Sequence, residues 1–409
     1  MKILVLTNEY PNNNYPKKDS PWTVPFFARK WAAMGHEVVA VVNSTRFPRL
    51  YYSLVWLFKW YFSKKYDIIG DDLSNKSWTK RFSFEDQGVR VYNLPMLKFY
   101  PSVPFLKIIK NRQLQLIINQ LNEIDFKPDI ITGHWLNPQF ELISRLKPVY
   151  SCRTGFVFES DFVESRITRY KANEFKDGIN RIGCRSKFAS GELKRLLHLN
   201  YTPFICASGI PDEIIEHISE RNIEDFENER TIVVSAGRFV GLKRFDSIIE
   251  ACENVYKKND FELTIAGEGP LLESLREYAS HLESKQKIFL PGKIERGKLF
   301  NLYRKAHIFI LISEREAFGL VYLEAMSQGC IVIASRDGGI DGIVKDGVNG
   351  FICEAGNAEE LAMVLSRISK LSAFEKKQIS DNAIKTASQL SDTLAAKKYL
   401  ENLQGLDNE

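Results

Sequence analysis

Between residues 307 and 356 the chain alternates short apolar runs with glycine-punctuated turns and helical spacing. HIFILI (307–312) reads as a buried strand that enters the loop SEREAF. Phe318-Gly319 opens a helix with apolar positions at Leu320, Leu323 and Met326, and Gly329 closes it. IVIAS (331–335) is a second buried strand, and Asp337-Gly338-Gly339 is expected to turn into a further helix. Strand–helix alternation of this kind runs through the whole chain. It constrains the fold to an α/β class with parallel sheets covered by helices.

In this pattern two helix N-termini follow two strands, each with a glycine where backbone can approach a ligand. Unpaired N–H groups and the positive dipole end make such places anion sites. Two acids frame the first, Glu316 in the loop and Glu324 about two turns into the helix. Any one of them alone reads as a solvated acid, and the glycines alone as turn residues. Together, carboxylates that accept from paired hydroxyls beside amides that hold phosphate suit a sugar nucleotide.

The 409 residues are enough for two domains, each with its own core. An apolar fraction of 44% with 26% charged residues is that of a soluble globular protein. Six cysteines without a CxxC read as free buried thiols in a reducing cytoplasm, not as a metal site. KILVLT is too short for the core of a secretion signal, and no run reaches the length of a membrane span.

Charge is unevenly divided. Residues 1–210 carry 31 Lys and Arg against 18 Asp and Glu, net +13, and the remainder is −8. The first half is therefore expected to meet something anionic. Residues 46–66 crowd aromatics with Lys and Arg and contain no acid, and residues 97–112 form a second apolar, basic patch. Either these lie at an anionic membrane surface or they form a helix packed in the first domain with a basic rim. Nucleic acid is not expected, because no binding motif accompanies the basic residues.

Further strand-to-loop junctions carry polar residues. PDIITGHWLNP (128–138) is a strand ending at Gly133-His134, where open α/β sheets bind ligands. TIVVSA leads to a loop with Arg238 and Lys243 five residues apart, a pair of cations suited to diphosphate. FELTIAGEGP places Gly267 in a glycine-rich turn, and KIFLPGKIE (287–295) is a strand and turn. The polar stretch 218–230 reads as a linker, and helices are expected at 358–371, at 374–388 and from 391 on.

The E-x7-E spacing with Phe-Gly inside it and Gly-Gly fourteen residues beyond resembles the donor site of the family 4 retaining glycosyltransferases of the GT-B fold. The likeness extends over most of the chain and includes the opening GHEV strand, the His-Trp segment at 134–135 and the RxxxxK pair. It implies two facing, doubly wound Rossmann-like domains with a cleft between them. Residues 1–222, completed by a C-terminal helix at 391–405, would bind acceptor, and residues 229–388 would bind nucleotide sugar.

The resemblance also implies roles. Arg238 and Lys243 would offset charge on the leaving diphosphate. Glu316 would orient the donor sugar and Glu324 the ribose hydroxyls. Gly267, Ala317, Phe318, Gly319, Leu320, Gly338 and Gly339 would line the donor, with the base near Lys293 and Ile294. His134 would contact sugar or acceptor, and Glu159 and Asp161 would stand on the acceptor side. Four departures stand out: no Gly-Gly in the first loop, Thr132 in place of a histidine, no glycine before Asp161, and Ser208 in place of an asparagine.

The implied reaction is transfer of a sugar, with retention, from a nucleoside diphosphate sugar to a hydroxyl of a glycan or lipid-linked acceptor. A UDP-sugar is favoured over a GDP-sugar, and bacterial surface polysaccharide synthesis is the implied setting. No D-x-D occurs, so neither metal nor cofactor is expected, and the enzyme is expected in the cytoplasm at the inner face of the membrane. A nucleotide-sugar 2-epimerase and a non-catalytic sugar-nucleotide-binding relative are the alternatives.

Overall fold

A computed structural model describes residues 1–11, 23–48, 79–99, 103–159, 163–169, 171–216, 218, 221–227, 230–256, 261–314, 316 and 318–405. The chain forms two compact units. The first comprises residues 1–184, 189–206 and 396–409, and the second residues 185–188 and 207–395.

The first unit is built on an eight-stranded sheet. Its strands are β1 (Lys2–Thr7), β2 (Glu37–Val42), β4 (Phe82–Asp86), β5 (Val89–Asn93), β7 (Ile130–Gly133), β8 (Arg153–Phe158), β9 (Arg181–Cys184) and β10 (Phe204–Ile205). The short pair β3 (Thr45–Arg46) and β6 (Met96–Leu97) stands apart. The order is β10-β9-β8-β7-β1-β2-β5-β4, parallel throughout except for β4 against β5. β1 and β2 are buried at every position after the first, as expected of strands covered on both faces.

The second unit carries β11 (Thr231–Ala236), β12 (Phe261–Ala266), β13 (Ile288–Gly292), β14 (Ile308–Leu311), β15 (Ile331–Ser335) and β16 (Phe351–Cys353). All six are parallel, in the order β13-β12-β11-β14-β15-β16. Every residue of β14 and β15 is buried.

Both sheets reverse their winding once. In the first the chain leaves β1 for β2 on one side and later returns to its other side with β7. In the second, β12 and β13 lie to one side of β11, and β14 to β16 lie to the other. Loops at the carboxyl ends of two such neighbours diverge and leave a crevice, which is where open α/β sheets bind ligands.

Two local expectations are corrected. Asp337-Gly338-Gly339 does not open a helix; residues 336–350 are turns with two isolated bridges, Asp341 to Val344 and Asp346 to Gly350. Asp337, Gly342 and Gly347 all have positive φ, which a right-handed helix cannot contain. Nor is 218–230 simply a linker. Residues 223–226 form a 3-10 turn with a capping box, and both Arg221 and Phe226 are buried in the second unit.

The helix Asp392–Gln404 contributes its residues from Ala396 onward to the first unit. There the indole N–H of Trp31 donates to the Ala396 carbonyl at 2.9 Å. Residues 207–216 group with the second unit, where Ile210 bridges Ser391 and the Thr393 hydroxyl meets Asp212.

Candidate active site

The winding reversal of the second sheet sets the loops after β11 and β14 side by side. The first loop carries Arg238, which is exposed and has no ion-pair partner among the described residues. It ends in the short turn Gly241–Lys243. The second loop carries Glu316, and Lys243 Nζ and Glu316 Oε2 form an ion pair that is mostly buried. Two further contacts tie the loops together. The Glu314 N–H donates to the Leu242 carbonyl at 2.9 Å, and Arg244 pairs with Glu314 at 2.9 Å.

Beyond Glu316 the chain turns into the helix Leu320–Ser327 through Gly319, which has φ 79°. A Cβ at Gly319 would lie 2.5 Å from the Tyr322 ring, so only glycine makes this turn. Phe318 is buried beneath the Arg185 guanidinium, 5.1 Å from its ring centre, and Leu320 is exposed. Glu324 is a buried acid, not a surface one, and its Oε1 accepts from Arg296 Nη2 at 2.7 Å. Burial raises the Glu324 carboxyl above its ordinary value, and the opposite charge of Arg296 partly offsets this.

Gly339 lies against the same loop. A Cβ there would come within 2.4 Å of the Glu316 carbonyl and the Phe318 nitrogen. Gly338 donates its N–H to the Ser335 carbonyl at 3.3 Å. Gly339 therefore packs directly against Glu316 and Phe318, while Gly338 faces Ser335. Gly267 donates to the Gly292 carbonyl at 2.9 Å, which holds the ends of β12 and β13 together. Lys293 follows, exposed and paired with Glu268 at 3.1 Å, and Ile294 is half-buried. Ala317 lies outside the described residues, as do Asp161 and residues 49–66 of the aromatic, basic stretch.

In the first unit His134 stands just past β7, at that sheet's own reversal, and extends the pairing with β8 through a bridge to Val157. It is 1% exposed and bonded at both ring nitrogens. Nδ1 lies 2.5 Å from Glu159 Oε1, and Nε2 lies 3.2 Å from the Tyr399 hydroxyl, itself 2.7 Å from Thr132 Oγ1. A carboxylate only accepts, so Nδ1–H donates to Glu159. Nε2 then accepts from Tyr399, whose oxygen accepts from Thr132.

Sequence reading missed Tyr399 and Arg296. Tyr399 comes from the last helix, 265 residues from His134, and nothing in its local pattern marks it. Arg296 sits one turn beyond Lys293 and Ile294 and looks like any exposed helix cation.

All six cysteines are free, five of them buried. Among the described residues no group of three or more His, Cys, Asp or Glu side chains is placed to hold a metal ion. No described helix is long and apolar enough to cross a membrane.

Residues 217–386 match the family described as glycosyl transferases group 1. N-acetyl-alpha-D-glucosaminyl L-malate synthase of Bacillus anthracis is 29% identical over 33% of this chain and 35% of its own. Alpha-monoglucosyldiacylglycerol synthase of Streptococcus pneumoniae is 24% identical over 66% of each chain. The match spans little more than a third of the length of the first curated relatives. Among solved structures, Anabaena HepE in complex with UDP superposes with a TM-score of 0.66 at 15% identity, over 99% of this chain and all of its own. Such identity speaks for the fold alone. Residues 217–386 are therefore similar to a group 1 glycosyl transferase domain, and the two Rossmann-like units share the GT-B fold of the solved glycosyltransferase structures.

Proposed function

We propose that the protein is a retaining glycosyltransferase that moves a sugar from a nucleoside diphosphate sugar to a hydroxyl of a glycan or lipid-linked acceptor. One observation carries this reading: Arg238, Lys243 and Glu316 gather at the reversal of the second sheet, where a helix begins at Gly319. UDP is the favoured nucleotide, in keeping with the UDP complex of the Anabaena neighbour. The name of the pneumococcal relative favours a lipid-linked acceptor.

The chemistry follows from the charges. Lys243 is paired with Glu316. An arriving diphosphate competes for that lysine and releases Glu316 to accept from hydroxyls of the donor sugar. Arg238 adds a second cation where negative charge grows as the glycosidic bond breaks, an electrostatic contribution that is usually the largest in such reactions. Glu324, desolvated and oriented by Arg296, accepts from the ribose hydroxyls.

The first unit binds acceptor and sits at an anionic membrane surface on the cytoplasmic side. Phe99, Val103, Leu106 and Ile108 are exposed there, close to Lys98, Lys107 and Arg112.

Thermal unfolding with a panel of sugar nucleotides tests the donor assignment, because a ligand of the native state raises stability by RT ln(1 + [L]/Kd). A UDP-sugar should stabilise the wild type and not Glu324→Ala. Incubation with that donor alone should leave its sugar unchanged, with turnover only when an acceptor is added. An epimerised donor would show an isomerase instead.

A further inference from the structure

Arg296 is the first residue of the helix Arg296–Lys305, which follows β13 at the ligand end of the second sheet. A cation at that position opposes the helix dipole, and the capping residue Glu295 makes no bond through its side chain. Helix stability therefore does not account for the arginine. Its guanidinium lies over the Phe300 ring one turn on, with its carbon 5.7 Å from the ring centre. Phe300 in turn meets the buried Tyr303 ring edge-on at 5.8 Å. Braced in this way, Nη2 donates to Glu324 Oε1 at 2.7 Å.

The two partners differ sharply in exposure. The Arg296 side chain is 57% exposed and that of Glu324 only 9%. A guanidinium carries several N–H donors, and among the described residues this one spends a single donor, on Glu324. Glu324 Oε2 has no donor among the described residues, and it is not sealed from solvent. The pair thus presents an open acceptor beside unspent donors. A mere counter-ion for a buried acid needs neither.

We propose that Arg296 and Glu324 together read the vicinal diol of the donor's ribose. Glu324 Oε2 accepts from one hydroxyl, and a second N–H of Arg296 donates to the oxygen of its neighbour. Each ribose hydroxyl both donates and accepts, so a carboxylate alone answers only half of what the diol offers. Arg296 is then a specificity-determining residue that selects ribose over 2′-deoxyribose. Its charge also opposes burial, which by itself favours the neutral acid. The proposal rests on the reading of Glu324 as the ribose acid and extends it to the sugar that the site accepts. A nucleotide lacking one hydroxyl leaves a desolvated group unanswered, the circumstance in which discrimination is large.

Isothermal titration calorimetry of the full chain tests this with UDP, GDP and their 2′-deoxy forms as probes. Whichever base binds, the ribonucleotide should bind the wild type about tenfold or more tightly than its 2′-deoxy form. Arg296→Gln should weaken the ribonucleotide about tenfold and the deoxy form little, so that the ratio falls toward one. Arg296→Lys keeps the charge without the planar fork and should restore part of the ratio. Equal affinity of the wild type for the two sugars overturns the proposal, and that comparison needs no variant. An equal loss for both nucleotides in Arg296→Gln also overturns it, because a structural counter-ion acts on both alike. Binding of neither UDP nor GDP by the wild type would count against the transferase reading itself.

Discussion

Lys243 and Glu316, 73 residues apart in sequence, form a mostly buried ion pair between the loops that follow β11 and β14. The pair exists because β14 lies directly beside β11, on the side opposite β12.

Replacing Arg238 or Lys243 with Ala should lower turnover by ~10²–10³, about 2.7–4 kcal/mol of barrier, by analogy with loss of an oxyanion donor. Steady-state kinetics with the donor found by thermal screening checks this, and wild-type turnover in both variants would remove the assignment. With Arg238 and Lys243 in the proposed role at the diphosphate, activity should also survive excess EDTA. Loss restored by Mg²⁺ or Mn²⁺ would show that a metal holds it.

Arg221→Leu should cost roughly 1–3 kcal/mol of stability, the range for leaving buried acceptors unsatisfied. Its guanidinium donates to the carbonyls of Ala306, Tyr303 and Gln328 at 2.5, 3.0 and 3.3 Å, at the ends of two helices. Leucine leaves these carbonyls without that donor. Denaturant unfolding of the variant measures the loss, and a change below about 1 kcal/mol would show that water replaces the arginine.

His307 makes the second unit sensitive to acid. Its Nδ1 accepts the Ile232 N–H at 2.9 Å, so the proton sits on Nε2, which donates to the Asp225 carbonyl at 2.7 Å. Burial lowers the imidazole below its ordinary value. The Asp225 carbonyl opposes this, while the positive charges of Arg221 and Lys376 add to it. A group whose folded value is depressed contributes stability that is complete above the unfolded value of 6.5 and is lost as pH falls through the folded one. Melting temperature should therefore drop as pH falls below about 6.5, and His307→Gln should flatten that drop. Equal slopes in the two proteins would exclude His307 as the cause.

Leu106→Glu with Ile108→Glu should reduce recovery of the protein with anionic vesicles. Ile108 is 74% and Leu106 50% exposed beside Lys107 and Arg112. Each Lys or Arg near such a surface adds about 1 kcal/mol of attraction, which salt screens. Co-sedimentation should need anionic lipid and weaken with salt. Equal recovery in the supernatant with and without vesicles at low salt would exclude the membrane surface.

The sequence by itself determined most of the elements of the second unit and the local spacing of its charged residues and glycines. Apolar runs of strand length, turns closed by glycine and the spacing of Glu316, Gly319 and Glu324 are local features, set by backbone geometry within a few residues. The charged pair of the β11 loop was legible for the same reason. Strand order was not, because apolar periodicity does not say which strands are neighbours. Only the tertiary structure placed β14 beside β11 and so joined Lys243 to Glu316. It also turned Glu324 inward onto Arg296, brought Tyr399 from the last helix to His134, and set Gly339 against Glu316 and Phe318 where a helix was expected. These contacts join residues from about 20 to more than 260 positions apart. Each depends on which element packs against which, and burial then decides which charges pair and which backbone can come close.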